Sequence, residues 1–164
     1  MFSVYHPQPI PGDPLVYFEG TVNINAPREK VYKFLTDPNF VAQCAPGVKE
    51  MAVIVPNEKY QAVAVVGFGS VSAEFRTDVE FLEFVPIDRA KVKAHGNAPG
   101  SAVDAISEMF LSDSENGTTD LKWTADIAVV GTIASVAARL MGPVTKKLTG
   151  MFFECVKSKI ETPN

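Results

Sequence analysis

Residues 131–160 read GTIASVAARLMGPVTKKLTGMFFECVKSKI. Val136, Leu140, Val144, Leu148, Met151, Phe152, Cys155 and Val156 recur at intervals of three and four, the spacing of one face of an α-helix. The pattern predicts a helix from about Ile133 to Ile160, some 28 residues and roughly 42 Å long at 1.5 Å per residue. Gly142-Pro143 interrupts it, and the missing amide of Pro143 predicts a kink there. An apolar face of that breadth must lie on a surface of similar extent, and only a sheet built from the preceding residues is large enough.

Those residues read as strands. From Leu15 the pattern has period two, with Val16, Phe18, Gly20, Val22 and Ile24 on one side and Tyr17, Glu19, Thr21, Asn23 and Asn25 on the other. Asn25-Ala26-Pro27 opens a helix, with Asn25 or Ala26 at the cap and Pro27 at the first helical position. Val31, Phe34 and Leu35 form its apolar stripe, Asp37-Pro38 stops it, and Phe40 to Cys44 form a second short helix ended by Ala45-Pro46-Gly47. Further strands are expected at roughly 48–56, 59–68, 71–84, 88–95, 101–112 and 118–130. Their separators are Pro56-Asn57, Gly69-Ser70, Pro86-Ile87-Asp88, Gly96 to Gly100, and Asp113 to Gly117. Connections this short favour antiparallel neighbours, because parallel pairs need long crossovers. The expected class is α+β: a seven-stranded curved antiparallel sheet around a long C-terminal helix, with two short helices after strand 1. Residues 1–14, with Pro7, Pro9, Pro11 and Pro14, fit neither helix nor central strand and are expected to form an N-terminal arm; the domain itself occupies 15–164.

With 164 residues, 46% of them hydrophobic and 21% charged, the chain suits one ordinary globular core. Its net charge of −4 argues against a nucleic-acid partner, which requires a clustered basic surplus. Cys44 and Cys155 show no framework spacing and are expected to be reduced thiols packed as small hydrophobes. No secretory leader or membrane-length apolar run is present, so a cytoplasmic location is expected. The final helix is basic: Arg139, Lys146, Lys147, Lys157 and Lys159 stand against Glu154 alone. Such a helix can rest on an anionic membrane or an acidic partner, or simply be a solvated face with its cations toward the C-terminal end.

Strand parity turns one set of side chains inward: Tyr60, Ala62, Ala64, Val66 and Phe68; Phe75, Thr77, Val79 and Phe81; Val103, Ala105, Ser107, Met109 and Leu111; Leu121, Trp123, Ala125, Ile127 and Val129. They are almost wholly apolar, and Ala62, Ala64, Ala105 and Ala125 leave room for a hydrophobic ligand, although such residues also serve as plain core. No catalytic or metal-binding residue is assigned. His6 and His95 are the only histidines, and neither has a cue linking it to Cys44 or Ser107. Glu74, Asp78, Glu80, Asp104 and Glu108 share outward parity, as on a solvated sheet face. Gly67-Phe68-Gly69 opens no helix, so it cannot cradle a phosphate.

The string Ala26-Pro27-Arg28-Glu29-Lys30-Val31-Tyr32-Lys33-Phe34-Leu35-Thr36-Asp37-Pro38, followed by Cys44-Ala45-Pro46-Gly47-Val48, resembles the CoxG proteins, the G subunits of carbon monoxide dehydrogenase, which belong to the START-like (polyketide cyclase/Bet v 1-like) superfamily. The likeness continues through Gly67-Phe68-Gly69-Ser70-Val71 and the helix from Gly131 to Val156, and so covers about 15–160. The resemblance implies a helix-grip fold with an apolar cavity between sheet and helix. It also implies a role beside a molybdenum carbon monoxide dehydrogenase or related hydroxylase, in bringing that enzyme to the membrane and, in some members, binding menaquinone. The enzyme's cofactors belong to its other subunits, so none is expected here. Members that dock to membranes carry an extension ending in an apolar segment. This chain ends at Asn164, which leaves peripheral contact at the inner membrane face to the basic helix.

The expectation is therefore a non-enzymatic accessory protein that holds a quinone-like molecule. Phe68, Phe75, Phe81, Met109, Trp123, Met141 and Phe152 would form the walls, and Thr77 and Ser107 would orient a carbonyl headgroup. Its rivals are a START-like cyclase or hydrolase, and an interaction or maturation subunit with a filled core.

Overall fold

A computed structural model describes residues 15–161, so the proline-rich arm expected at 1–14 lies outside the described residues. In chain order the elements are β1 (Leu15–Ile24), α1 (Arg28–Leu35), α2 (Pro38–Cys44), β2 (Val48–Val55), β3 (Lys59–Phe68), β4 (Val71–Val85), β5 (Arg89–Ala98), β6 (Ser101–Asp113), a 3-10 turn (Glu115–Gly117), β7 (Thr119–Gly131) and α3 (Ala134–Ile160). All seven strands form one antiparallel sheet in the order β1-β7-β6-β5-β4-β3-β2. From β2 to β7 the chain is a meander of short turns. The first strand instead pairs with the last, and α1 and α2 carry the chain from one sheet edge to the other.

Local chemistry places these elements. Pro27 is the N-cap residue of α1, one position earlier than expected, and makes no side-chain cap. Asp37 does more than end α1: its carboxylate accepts from the Asn39 N–H at 2.9 Å and caps α2, with Pro38 at the first helical position. Strand β5 continues to Ala98, so the turn expected at Gly96 to Gly100 shrinks to Pro99-Gly100. Gly96 sits inside the strand because a Cβ there would lie 3.1 Å from Thr77 Oγ1. The register slips between Phe81 and Glu83, which exposes Leu82 and lets Phe84, opposite Ala90, stack on Phe81 at 4.7 Å.

Both ends of α3 are pinned. At its start the Ile133 N–H donates to Ser101 Oγ (3.2 Å) and the Thr132 N–H to Gly100 O (2.9 Å), so the β5–β6 turn satisfies amides that a helix leaves open. Gly131 makes this close approach possible: its φ is +95°, and a Cβ there would run into Gly100 O. At the other end Glu161 Oε2 accepts from the Asn25 N–H at 2.7 Å. The helix is continuous through Pro143. Its buried residues are Ala137, Met141, Val156 and Ile160, whereas Met151, expected on the apolar face, is 48% exposed. The burial line runs through 148, 152 and 156, and Met151 falls beside it at 100° per residue.

Two apolar clusters hold the layers together. One joins Ile24, Val31, Phe34, Leu111 and Leu121 to Val156 and Ile160; the other joins Phe75 and Val129 to Ile133, Ala137 and Met141. Polar pins support the first: the fully buried Thr119 hydroxyl donates to Ala26 O (2.7 Å), and Tyr32 donates to Arg89 O (3.1 Å). Arg28 reaches from α1 to Asp88 (2.6 Å) and Asp113 (2.9 Å). The Asp113 hydrogen bond is the main influence raising the guanidinium pKa, so the pair stays charged throughout the range in which the carboxylates are ionised.

The reduced thiols expected at Cys44 and Cys155 are not found: the two form a disulfide, with Cα atoms 5.4 Å apart, between the end of α2 and α3. A separation of 111 residues carries no pairing cue, because only the docking of α2 on α3 brings the two together. Cross-linking so long a loop should contribute about 2–4 kcal/mol. The doubly substituted Cys44→Ser/Cys155→Ser protein should therefore unfold at a lower urea concentration than the oxidised wild type. Two titratable thiols in unreduced, denatured wild type would contradict the pairing.

Candidate functional site

Between the concave face of the sheet and the middle of α3 lie two cavities, one of about 390 Å³ and one of about 200 Å³. The larger is walled by Tyr60, Ala62, Val79, Phe81, Ser107, Met109 and Trp123 from the sheet, by Phe152, Phe153 and Thr149 from α3, and by Leu35, Val41, Ala42 and Ala45 from the short helices and the residue after them. The smaller lies toward the start of α3, among Ala64, Phe75, Thr77, Gly96, Ala105, Met141 and Leu148. Alanines at 62, 64 and 105 and the glycine at 96 keep the sheet surface low, and that is why space remains beneath the helix.

Of the residues singled out in the sequence, Phe81, Ser107, Met109, Trp123 and Phe152 come together around the larger cavity, and Phe75, Thr77 and Met141 around the smaller. Phe68 ends β3 opposite Val71, but its side chain lies outside the described residues. Sequence reading missed the wall contributed by α2 and β2, including Val41, Ala42, Val48 and Met51. Their apolarity was visible, but no local pattern says which end of the cavity a short helix will close.

The polar groups at the larger cavity are few and mostly committed. Ser107 Oγ donates to Thr124 O at 2.9 Å, and Thr149 Oγ1 donates to Thr145 O at 2.9 Å. Each turns its proton to the backbone and leaves only lone pairs for a ligand. Glu108, which also borders this space, pairs across the sheet with Lys91 at 4.0 Å. The indole of Trp123 lies over Gly20, its register partner on β1, where a Cβ would stand 2.8 Å from Nε1. Gly20 thus makes room for the ring.

Ionisable chemistry sits elsewhere. His95 pairs with Asp104 on the opposite face of the sheet, and Gln61 with Asp78. Among the described residues no three His, Cys, Asp or Glu converge as metal ligands, and no helix is long and apolar enough to cross a membrane. Arg139, Lys146, Lys147 and Lys159 of α3 are exposed, while Lys157 is half-buried.

A seven-stranded antiparallel sheet wrapped on a long C-terminal helix, with two short helices after the first strand, is the START-like fold, and solved structures bear this out. A conserved protein from Geobacillus kaustophilus is similar at 25% identity and a TM-score of 0.82, over 89% of this chain and 95% of that one. The Zhui aromatase/cyclase from a Streptomyces species shares 14% identity at a TM-score of 0.70, over 90% and 94% of the two chains. A START superfamily protein from Mycobacterium smegmatis shares 11% at 0.63, over 92% and 98%. No curated protein matches the sequence significantly. Residues 20–161 match the family of carbon monoxide dehydrogenase G subunits (CoxG), and the chain belongs to that family.

The single tryptophan makes the site observable. In Gly20→Ala the new methyl group cannot coexist with the present ring position, so Trp123 emission should shift in wavelength or intensity while the far-UV circular dichroism stays native. Unchanged emission would show that the indole does not rest on Gly20.

Proposed function

We propose that this chain is a non-enzymatic accessory protein of a molybdenum carbon monoxide dehydrogenase or related hydroxylase, and that it holds an apolar, quinone-like molecule between sheet and helix. The observation that carries the reading is the larger cavity of about 390 Å³, with almost entirely apolar walls and aromatic surfaces from Phe81, Trp123 and Phe152. Dimensions and lining of this kind suit a small hydrophobic ligand. Membership of the CoxG family supplies the association with carbon monoxide dehydrogenase.

Hydroxyl protons at Ser107 and Thr149 already given to carbonyls, and carboxylates and His95 engaged on the other face, favour binding over turnover. The likeness to an aromatase/cyclase keeps a second reading open, a START-like enzyme acting on a polycyclic substrate. That reading requires a proton donor or acceptor inside the cavity. Contact with the inner membrane face, through the exposed cations of α3, belongs to the same proposal.

Native mass spectrometry of protein from its own host, followed by organic extraction, tests the reading directly. A recovered quinone or isoprenoid is the expected result. An apo mass, together with no quenching of Trp123 by added menaquinone or ubiquinone in detergent, would remove the carrier reading and favour a role in protein interaction alone. Ala62→Phe provides the matching control: its ring should enter the larger cavity with little loss of thermal stability, yet lower quinone affinity by at least tenfold. A filled core would instead be overpacked, and the variant would lose about 1–3 kcal/mol of stability.

A further inference from the structure

We propose that Tyr60 is the specificity-determining hydrogen-bond donor of the larger cavity, selecting a ligand that presents a carbonyl oxygen. The inference rests on the reading of that cavity as a ligand site and adds the chemistry by which it would choose. Tyr60 lies on the concave side of β3, two residues before Ala62, and is only 4% exposed. Its ring meets Phe81 edge-on at 5.8 Å, so both aromatic walls on this side of the cavity are positioned by one contact. Among the described residues no group accepts from its hydroxyl, whereas the Ser107 and Thr149 hydroxyls each have a backbone partner.

That hydroxyl is not sealed away. Every fully enclosed side-chain nitrogen or oxygen among the described residues has a hydrogen-bond partner. An unpartnered hydroxyl on so deeply buried a residue must therefore face open space, and on the concave side that space is the cavity. Burying a phenol beside apolar walls is unfavourable unless it finds a partner, so an occupant with an acceptor is stabilised over one without.

The remaining polar groups sharpen the choice. Ser107 and Thr149 offer lone pairs only, and the Trp123 N–H lies at the β1 edge against Gly20. Among the described residues Tyr60 thus holds the one uncommitted hydroxyl proton on the β3 side of the cavity. A carbonyl complements it directly, while a pure hydrocarbon leaves it unpaired. The role expected in the sequence for Thr77 and Ser107, orienting a headgroup carbonyl, passes to Tyr60: Ser107 has given its proton to the backbone, and Thr77 lies at the smaller cavity.

The test compares 2-methyl-1,4-naphthoquinone with 2-methylnaphthalene on the full chain, using calorimetry and Trp123 quenching. Tyr60→Phe keeps the ring and its contact with Phe81. It should weaken the naphthoquinone by about three- to tenfold, the worth of one neutral hydrogen bond, and leave the hydrocarbon within about twofold. In the infrared difference spectrum, a bound carbonyl band moved to lower frequency should return toward its unbound position in the variant. Equal losses for both probes, or an unmoved carbonyl band in wild type, would overturn the donor role while leaving the cavity reading intact. If neither probe binds wild type, the cavity reading itself fails and the donor role fails with it.

Discussion

The rest of the molecule depends on how α3 is held: clamped at both ends over the sheet and spanning open space between. At one end Ser101 and Gly100 take its first amides and the cluster of Phe75, Val129, Ile133, Ala137 and Met141 seals it. At the other, Val156 and Ile160 pack with Ile24, Val31, Leu111 and Leu121, and Glu161 closes on the Asn25 amide. Between the clamps the residues facing the sheet are Thr145, Leu148, Thr149 and Phe152, and they meet a floor lowered by alanine. A packed interior ordinarily collapses onto a void, because unfilled volume forfeits contacts on every side. Here collapse would have to bend a hydrogen-bonded helix between two fixed points. The fold keeps its cavity open by placing its packing energy at the ends.

The covalent and ionic ties follow the same division. The disulfide joins α2 to the last third of α3, next to Phe152 and Phe153, and so fixes the wall that closes the larger cavity on the helix side. Arg28, bridging Asp88 and Asp113, anchors α1 to the β4–β5 turn and the end of β6. Together they hold the two short helices as a rigid cap across an open sheet whose edge strands, β1 and β2, never pair with each other. Without that cap, the apolar space beneath α3 would lie open along one side.

Much of this was legible in the chain, for a physical reason. Period two on a curved sheet fixes which side chains face inward, so the spacing alone assigns Ala62, Phe81, Ser107, Met109 and Trp123 to one surface. Helical periodicity in turn locates α3 to within one residue at its start. What failed to show depends on partners distant in sequence. Cys44 and Cys155 give no hint of each other across 111 residues. Gly96 reads as a turn residue until Thr77 is seen to need its space. The bulge at Leu82 resets parity so that Phe84 stacks on Phe81. Ser107 is inward as its position requires, but the direction of its proton is settled by a carbonyl on the neighbouring strand.

That last point separates position from chemistry. One scaffold carries both an aromatase/cyclase and this CoxG-family chain, so fold alone cannot distinguish a catalyst from a container. The difference lies in whether a polar group inside the cavity has an uncommitted proton or charge. Along β6 and β7, inward polar side chains are rare and the one hydroxyl at the cavity is tied to backbone. Carboxylates and His95 take outward parity, where cross-strand partners and solvent offset their charge. An alternating strand thus sorts ionisable from apolar groups one residue at a time. Moving a reactive group into the cavity would require either a substitution at an inward position or a one-residue slip of register, and a slip would turn every apolar wall of that strand to water.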